Sequence, residues 1–189
     1  MHDFDRNAIA DLLQALHLEL EHRGIRASVY IVGGAAMVLR EISGDRRTAD
    51  VDALMVPEEE VRAASRSVAM ARGLRADWLN ANVRPYVPRV PSMAPPARPG
   101  LRVVLAEDDQ LLAMKIVAAR GERDMRDIVP LARRLGLQRE QELLAVVLAA
   151  YGDDVIEDVH GGAAEMALRC RAIEARLRRV GNHNTQTSD

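Results

Sequence analysis

Two carboxylates, Asp50 and Asp52, stand one residue apart at the start of an apolar run, 51–56. Side chains two apart on a strand face the same way. Carboxylates so placed repel one another unless a cation is shared between them, and oxygen donors of this kind suit magnesium. Upstream, Val29, Tyr30, Ile31 and Val32 run into Gly33 and Gly34, after which 35–42 reads as a short helix. A turn without β-carbons lets backbone N–H groups at a helix start come close to phosphate. The stretch 28–56 therefore offers both halves of a grip on a metal and a triphosphate.

A third group stands out by composition. Of 26 basic residues, Lys115 is the one lysine and the rest are arginine. A compact ammonium and a planar guanidinium are not interchangeable against phosphate. On a helix, Lys115 has Leu111, Leu112, Ala118 and Ala119 three and four residues away, so it is partly walled in and needs a partner.

At these residues the chain resembles the nucleotidyltransferase superfamily, whose pattern is a glycine pair closing a strand, a helix, then acid–apolar–acid on the next strand. More narrowly it is similar to the minimal nucleotidyltransferases that act as toxins in bacterial toxin–antitoxin and phage-abortive systems, and to a related uncharacterised bacterial branch. The likeness rests on Thr48 within Arg47-Thr48-Ala49-Asp50, on the lysine helix LLAMKIVAARGERDMRDI, and on Asp77-Trp78-Leu79-Asn80 followed by Val83-Arg84-Pro85-Tyr86-Val87-Pro88. It covers roughly residues 28–135.

The resemblance implies an α/β fold, a small mixed sheet flanked by helices and followed by a C-terminal helical bundle. It implies a magnesium-dependent enzyme that moves a nucleotidyl group from a nucleoside triphosphate to an acceptor, in the preferred version the 3′ end of a transfer RNA, under restraint by a cognate antitoxin. Carried over residue by residue, Asp50 and Asp52 hold Mg2+, and Lys115 contacts triphosphate oxygens. Asp124 or Asp127 completes the site, and Gly33 and Gly34 bring backbone close to the phosphates. Thr48 lies near the bound nucleotide. Arg47 is a phosphate contact or the ion pair of Asp50. Many superfamily members carry a third acid on a later strand, whereas 101–105 has none; Glu107 and Asp108 are the nearest substitutes, or plain helix-starting acids. Ala81 stands where the family segment carries an acid.

The elements that position these groups follow from periodicity. Phe4, Ile9, Leu12, Leu13, Leu16 and Leu20 give a helix over 4–23, stopped by Gly24. Pro57 opens a helix with an acidic first turn that runs to Arg72 and stops at Gly73. Six of eight prolines fall between 85 and 99, which excludes continuous helix or central strand there and makes 91–100 a surface connection. Trp78 reads as a core anchor rather than a base stack, and Asn80 and Asn82 receive no chemistry. A third strand over 101–105 buries Val103, Val104 and Leu105. Helices follow at 107–120, 124–135, 139–151 and 153–180, the last interrupted at Gly161 and Gly162. The domain plan is a core with its N-terminal helix over 1–106, a helical region over 107–180 and a disordered tail over 181–189.

With 189 residues, 48% apolar and 29% charged, the chain can bury a real core. No apolar run approaches the ~18 residues of a membrane span, and the start lacks a secretory pattern, so a cytoplasmic protein is expected. Cys170 stands alone, which excludes a disulfide frame, and His2, His17, His22, His160 and His183 lack zinc spacing. A net charge of −2 argues against a globally basic nucleic-acid binder but leaves room for a local patch. Arg169, Arg171, Arg176, Arg178 and Arg179 form a solvated helix face or an RNA-docking one. Two rival readings stand beside the main one: transfer to a small hydroxyl acceptor, and a binding module that kept the fold without turnover.

Overall fold

Residues 3–42, 44, 46–119, 121–159 and 161–185 are described in a computed structural model of the chain. His2, Arg120, His160 and the end of the expected tail, 186–189, lie outside them. The chain divides into two compact units, Met1–Ala106 and Glu107–Asp189. Among the described residues no helix is long and apolar enough to cross a membrane.

The first unit is built on β1 (Arg26–Ile31), whose last five residues are all buried. An apolar β-branched run is the sequence a fully covered central strand needs. It pairs antiparallel with β2 (Val51–Val56) and parallel with β4 (Gly100–Leu105), while β3 (Leu79–Asn80) adds in parallel to β2. The order β3-β2-β1-β4 makes the expected small mixed sheet. Ser28 stands opposite Val56 and Arg102, and Tyr30 opposite Leu54 and Val104. Asp52 stands opposite Asn80. Alternation along the strands therefore puts Ser28, Tyr30, Asp52, Leu54, Val56, Asn80 and Arg102 on one face.

Helices α1 (Arg6–His22), α2 (Gly33–Leu39) and α3 (Glu58–Arg72) flank the sheet. Phe4 is not part of α1 as its apolar spacing suggests; it bridges Thr48 in both directions, N–H to O at 2.6 and 3.0 Å. Asp5 caps the helix instead, accepting the Ala8 N–H at 2.9 Å. The short helix begins at Gly33 itself rather than at residue 35 and ends at Leu39, with Gly33 at φ +59°. A 3-10 turn, Arg84–Tyr86, and β3 lie inside the proline-rich region. Val103 is 40% exposed, against the expectation of a buried run, because β4 is the outer strand of the sheet and has one strand neighbour. His17 reaches β4 from α1: its Nδ1 accepts the Leu101 N–H at 3.0 Å, in space that a side chain at Gly100 would fill.

The second unit is helical: α4 (Asp108–Ala118), α5 (Glu122–Arg134), α6 (Glu140–Tyr151), α7 (Asp153–Val159) and α8 (Gly162–Thr185). Leu111, Leu112, Ile116, Ile128, Leu131, Leu143, Val147, Met166 and Ile173 form its core. The break at Gly161 and Gly162 falls as the sequence indicates, both at positive φ. Helix α8 continues past Val180 to Thr185.

The α1 cap carries a pH dependence. The Ala8 N–H, and after it Arg47, hold the Asp5 carboxyl below its ordinary value of 3.8, so its contribution is present above that value and is lost as pH falls through the folded-state value. Asp5→Ala is expected to lower the melting temperature at pH 7, and the gap to wild type to close below pH 3.8, in thermal melts followed by circular dichroism.

Candidate active site

Gly33 and Asp52 meet in the first unit. A β-carbon at Gly33 would stand 3.3 Å from Asp52 Oδ2, so this carboxylate is turned to the glycine turn. The Val32 N–H donates to the Asp52 carbonyl at 3.0 Å and fixes the end of β1 against it. Gly34 is under tighter constraint: its β-carbon would fall 2.7 Å from Thr48 Oγ1 and 3.3 Å from an Arg46 guanidinium nitrogen. Both glycines are required by close approach, and Gly33 also by its positive φ.

Asp50 lies in the bend just before β2, not on the strand, and is half-buried. Two groups hold it. Thr48 Oγ1 donates to its carbonyl at 3.1 Å, and Asn80 Nδ2 donates to its Oδ2 at 3.3 Å. The Asn82 N–H donates to Asn80 Oδ1 at 3.0 Å, which sets the amide's orientation. Asn80 in turn depends on Trp78, 2% exposed, whose carbonyl accepts the Val51 N–H at 2.7 Å and whose Nε1 donates to the Ser65 carbonyl at 3.0 Å. The core-anchor reading of Trp78 holds. What the sequence did not reveal was that this anchor lays Asn80 beside Asp52 and onto Asp50; a two-residue strand has too little periodicity to show its register.

The two neighbouring arginines take different places. Arg47 forms an ion pair with Asp5 at 3.1 Å, its side chain 58% exposed, rather than with Asp50. Arg46 is the guanidinium against Gly34. Thr48 is 9% exposed and locked by its bridge to Phe4.

Asp50 and Asp52 are the acids that could hold a metal beside the glycine pair. A pair of carboxylates suits magnesium, which usually keeps several waters and is seldom held in an all-protein cage. Among the described residues no three His, Cys, Asp or Glu side chains converge, so a closed zinc site has no ligand set here. Cys170 is buried, and burial, with Glu140 nearby, pushes its thiol up to about 11. It stays protonated at neutral pH and offers no nucleophile.

In the second unit Lys115 has the partner its walled-in position calls for. Its Nζ lies 2.7 Å from Asp127 Oδ2 and 3.6 Å from Asp124 Oδ1. Asp127 is 1% exposed and Lys115 17%. Asp124 does not cap α5, since Gly121 does; it sits in the first turn, with the spacing that turns it and Asp127 to the same side. The two aspartates thus share one ammonium. Arg169 on α8 donates to the Val117 carbonyl and to the Ile116 carbonyl, the latter at 3.4 Å, just past Lys115 on α4. Arg134 joins Asp108 at 2.7 Å at the other end of that helix pair.

A family model described as "Nucleotidyltransferase of unknown function (DUF6036)" matches residues 7–145. No curated protein and no solved structure matches the chain.

Gly34→Ala is expected to destabilise by about 1–3 kcal/mol through overpacking, and Thr48→Ala by about 1 kcal/mol through its lost hydrogen bond. The double variant should cost less than the sum, because removing the hydroxyl makes room for the new methyl; urea unfolding of the four proteins measures the coupling. Lys115→Met strands the Asp127 carboxylate in the core and should cost about 3–5 kcal/mol in the same assay.

Proposed function

The chain belongs to this nucleotidyltransferase family, and from that premise we propose that it is a magnesium-dependent enzyme transferring a nucleoside monophosphate from a triphosphate to an acceptor hydroxyl. The observation that carries this reading is the Asp52 carboxylate turned to the Gly33 turn, with Asp50 tied beside it by Thr48 and Asn80. Asp50 and Asp52 would hold the magnesium, which would supply Lewis-acid stabilisation of the charge on the reacting phosphate. The glycine pair leaves the backbone bare where the phosphates approach. The acceptor oxygen forms the new bond to the α-phosphorus, the bond to the β-phosphate oxygen breaks, and pyrophosphate leaves. The likeness to the toxin group along the lysine helix would add Lys115 as a contact to triphosphate oxygens. Within the second unit Asp127 and Asp124 hold that ammonium in place.

In the preferred version the acceptor is the 3′ end of a transfer RNA, and a cognate antitoxin restrains the enzyme. What supports this is the likeness to toxin nucleotidyltransferases at Arg47-Thr48-Ala49-Asp50 and along the lysine helix. One observation favours a binding module without turnover: β4 brings no acid to the sheet, and Asn80, which stands opposite Asp52, is an amide.

Purified protein incubated with each of four labelled nucleoside triphosphates, magnesium and total transfer RNA is expected to label the RNA. Asp50→Asn and Asp52→Asn should each lower the rate about a thousandfold, in line with several kcal/mol of charge stabilisation, and chelation should abolish it. Labelling that persists without RNA selects a small acceptor. Tight nucleotide binding with no transfer from any of the four selects the binding module.

A further inference from the structure

Between Asp77 and Glu107 the chain has no acidic residue, yet it carries Arg84, Arg89, Arg98 and Arg102. In a protein with 28 acids and a net charge of −2 this is a segregated positive stretch. A solvated surface ordinarily intersperses both signs. All four arginines are exposed, and with them Tyr86 at 47% and Val90 at 51%.

The stretch is pinned to the first unit rather than trailing from it. Arg84 forms an ion pair with Glu58, which also holds Arg62 at 2.8 Å. Further on, Ser28 Oγ and an Arg102 guanidinium nitrogen both donate to the Ala94 carbonyl, at 3.0 and 3.1 Å. Ser28 and Arg102 are on the sheet face that also carries Asp52. Four residues of strand separate Ser28 from the level of Asp52, about 13 Å at strand rise. Val56, opposite Ser28 on that face, is itself 42% exposed. The prolines keep 87–99 out of helix and sheet pairing, and Arg89, Val90 and Arg98 within it are exposed.

We propose that this strap, 84–102, binds single-stranded nucleic acid on the carboxylate face of the first unit. Its arginines engage phosphates and Tyr86 stacks on an unpaired base. The proposal rests on the transferase reading for the direction of the strand, whose 3′ end runs toward Asp50 and Asp52, and its test does not need turnover. Exposed guanidinium groups and an exposed ring on one stretch are what a single strand offers contacts to, since its phosphates are regularly spaced and its base faces are open. A duplex hides those faces, and an acidic peptide has no use for the ring.

The probe is a 5′-fluorescent single-stranded RNA of twelve nucleotides with a blocked 3′ end, followed by anisotropy at increasing sodium chloride. Wild type is expected to bind with a salt slope that falls by roughly 0.7 for each phosphate contact removed, so Arg89→Ala with Arg98→Ala lowers it by roughly 1.4. Tyr86→Ala should weaken binding roughly 5- to 150-fold with the slope unchanged, and Tyr86→Phe should restore it. Unchanged affinity and slope in the strap variants, or equal binding of duplex RNA or of polyglutamate, overturns the proposal. Transfer by wild type together with unaffected strap variants defeats the strap and leaves the transferase reading. Strap-dependent RNA binding with no transfer does the reverse.

Discussion

A hydroxyl packed against Gly34, closer than a β-carbon there would allow, organises the segment that carries Asp50 and Asp52. Thr48 Oγ1 lies 2.7 Å from that position, and the same oxygen reaches on to the Asp50 carbonyl. The bridge from Thr48 back to Phe4 prevents the segment from retreating. With Gly34 open, the chain before β2 can lie against the start of α2, and Asp50 and Asp52 follow into place. Any side chain there pushes the acids away from the glycine turn. The approach of Thr48 to the start of α2 thus depends on an absence of volume at one residue.

A different constraint governs the second unit. Asp127 is almost wholly buried, and a carboxylate in that position is tolerable only with a cation at its side. Lys115 supplies it, and Asp124 shares it from one turn away. A buried pair is costly to assemble and costlier to break, so it fixes the lysine's position more firmly than it stabilises the unit. That explains why a chain otherwise built with arginine has lysine here. A compact ammonium fits between two carboxylates that a planar guanidinium would force apart.

The proline-rich region joins two physical properties that are seldom found together in a connecting loop. It is tied by side chains to both β1 and β4 through a single carbonyl, Ala94, and its charge has one sign.

Much of this was written in the order of residues. The apolar run of β1, the helix stops at Gly24 and Gly73, the acid–apolar–acid pattern and the single lysine are all local, and local spacing determines strands, helices and charge. Where the sequence fell short, the deciding partner was distant in the chain. Phe4 left the helix its spacing suggested because Thr48, far along the sequence, offered it a bridge. Val103 is exposed because β4 has a strand on one side alone. Arg47 went to Asp5 while Arg46 turned to Gly34, a choice between adjacent identical residues that no composition rule can make. Asn80 came to Asp50 through the register of a two-residue strand. Residue types determined which chemistry the chain can attempt, and long-range packing decided which atoms meet, because contact between remote segments depends on volume and register that neighbouring residues do not encode.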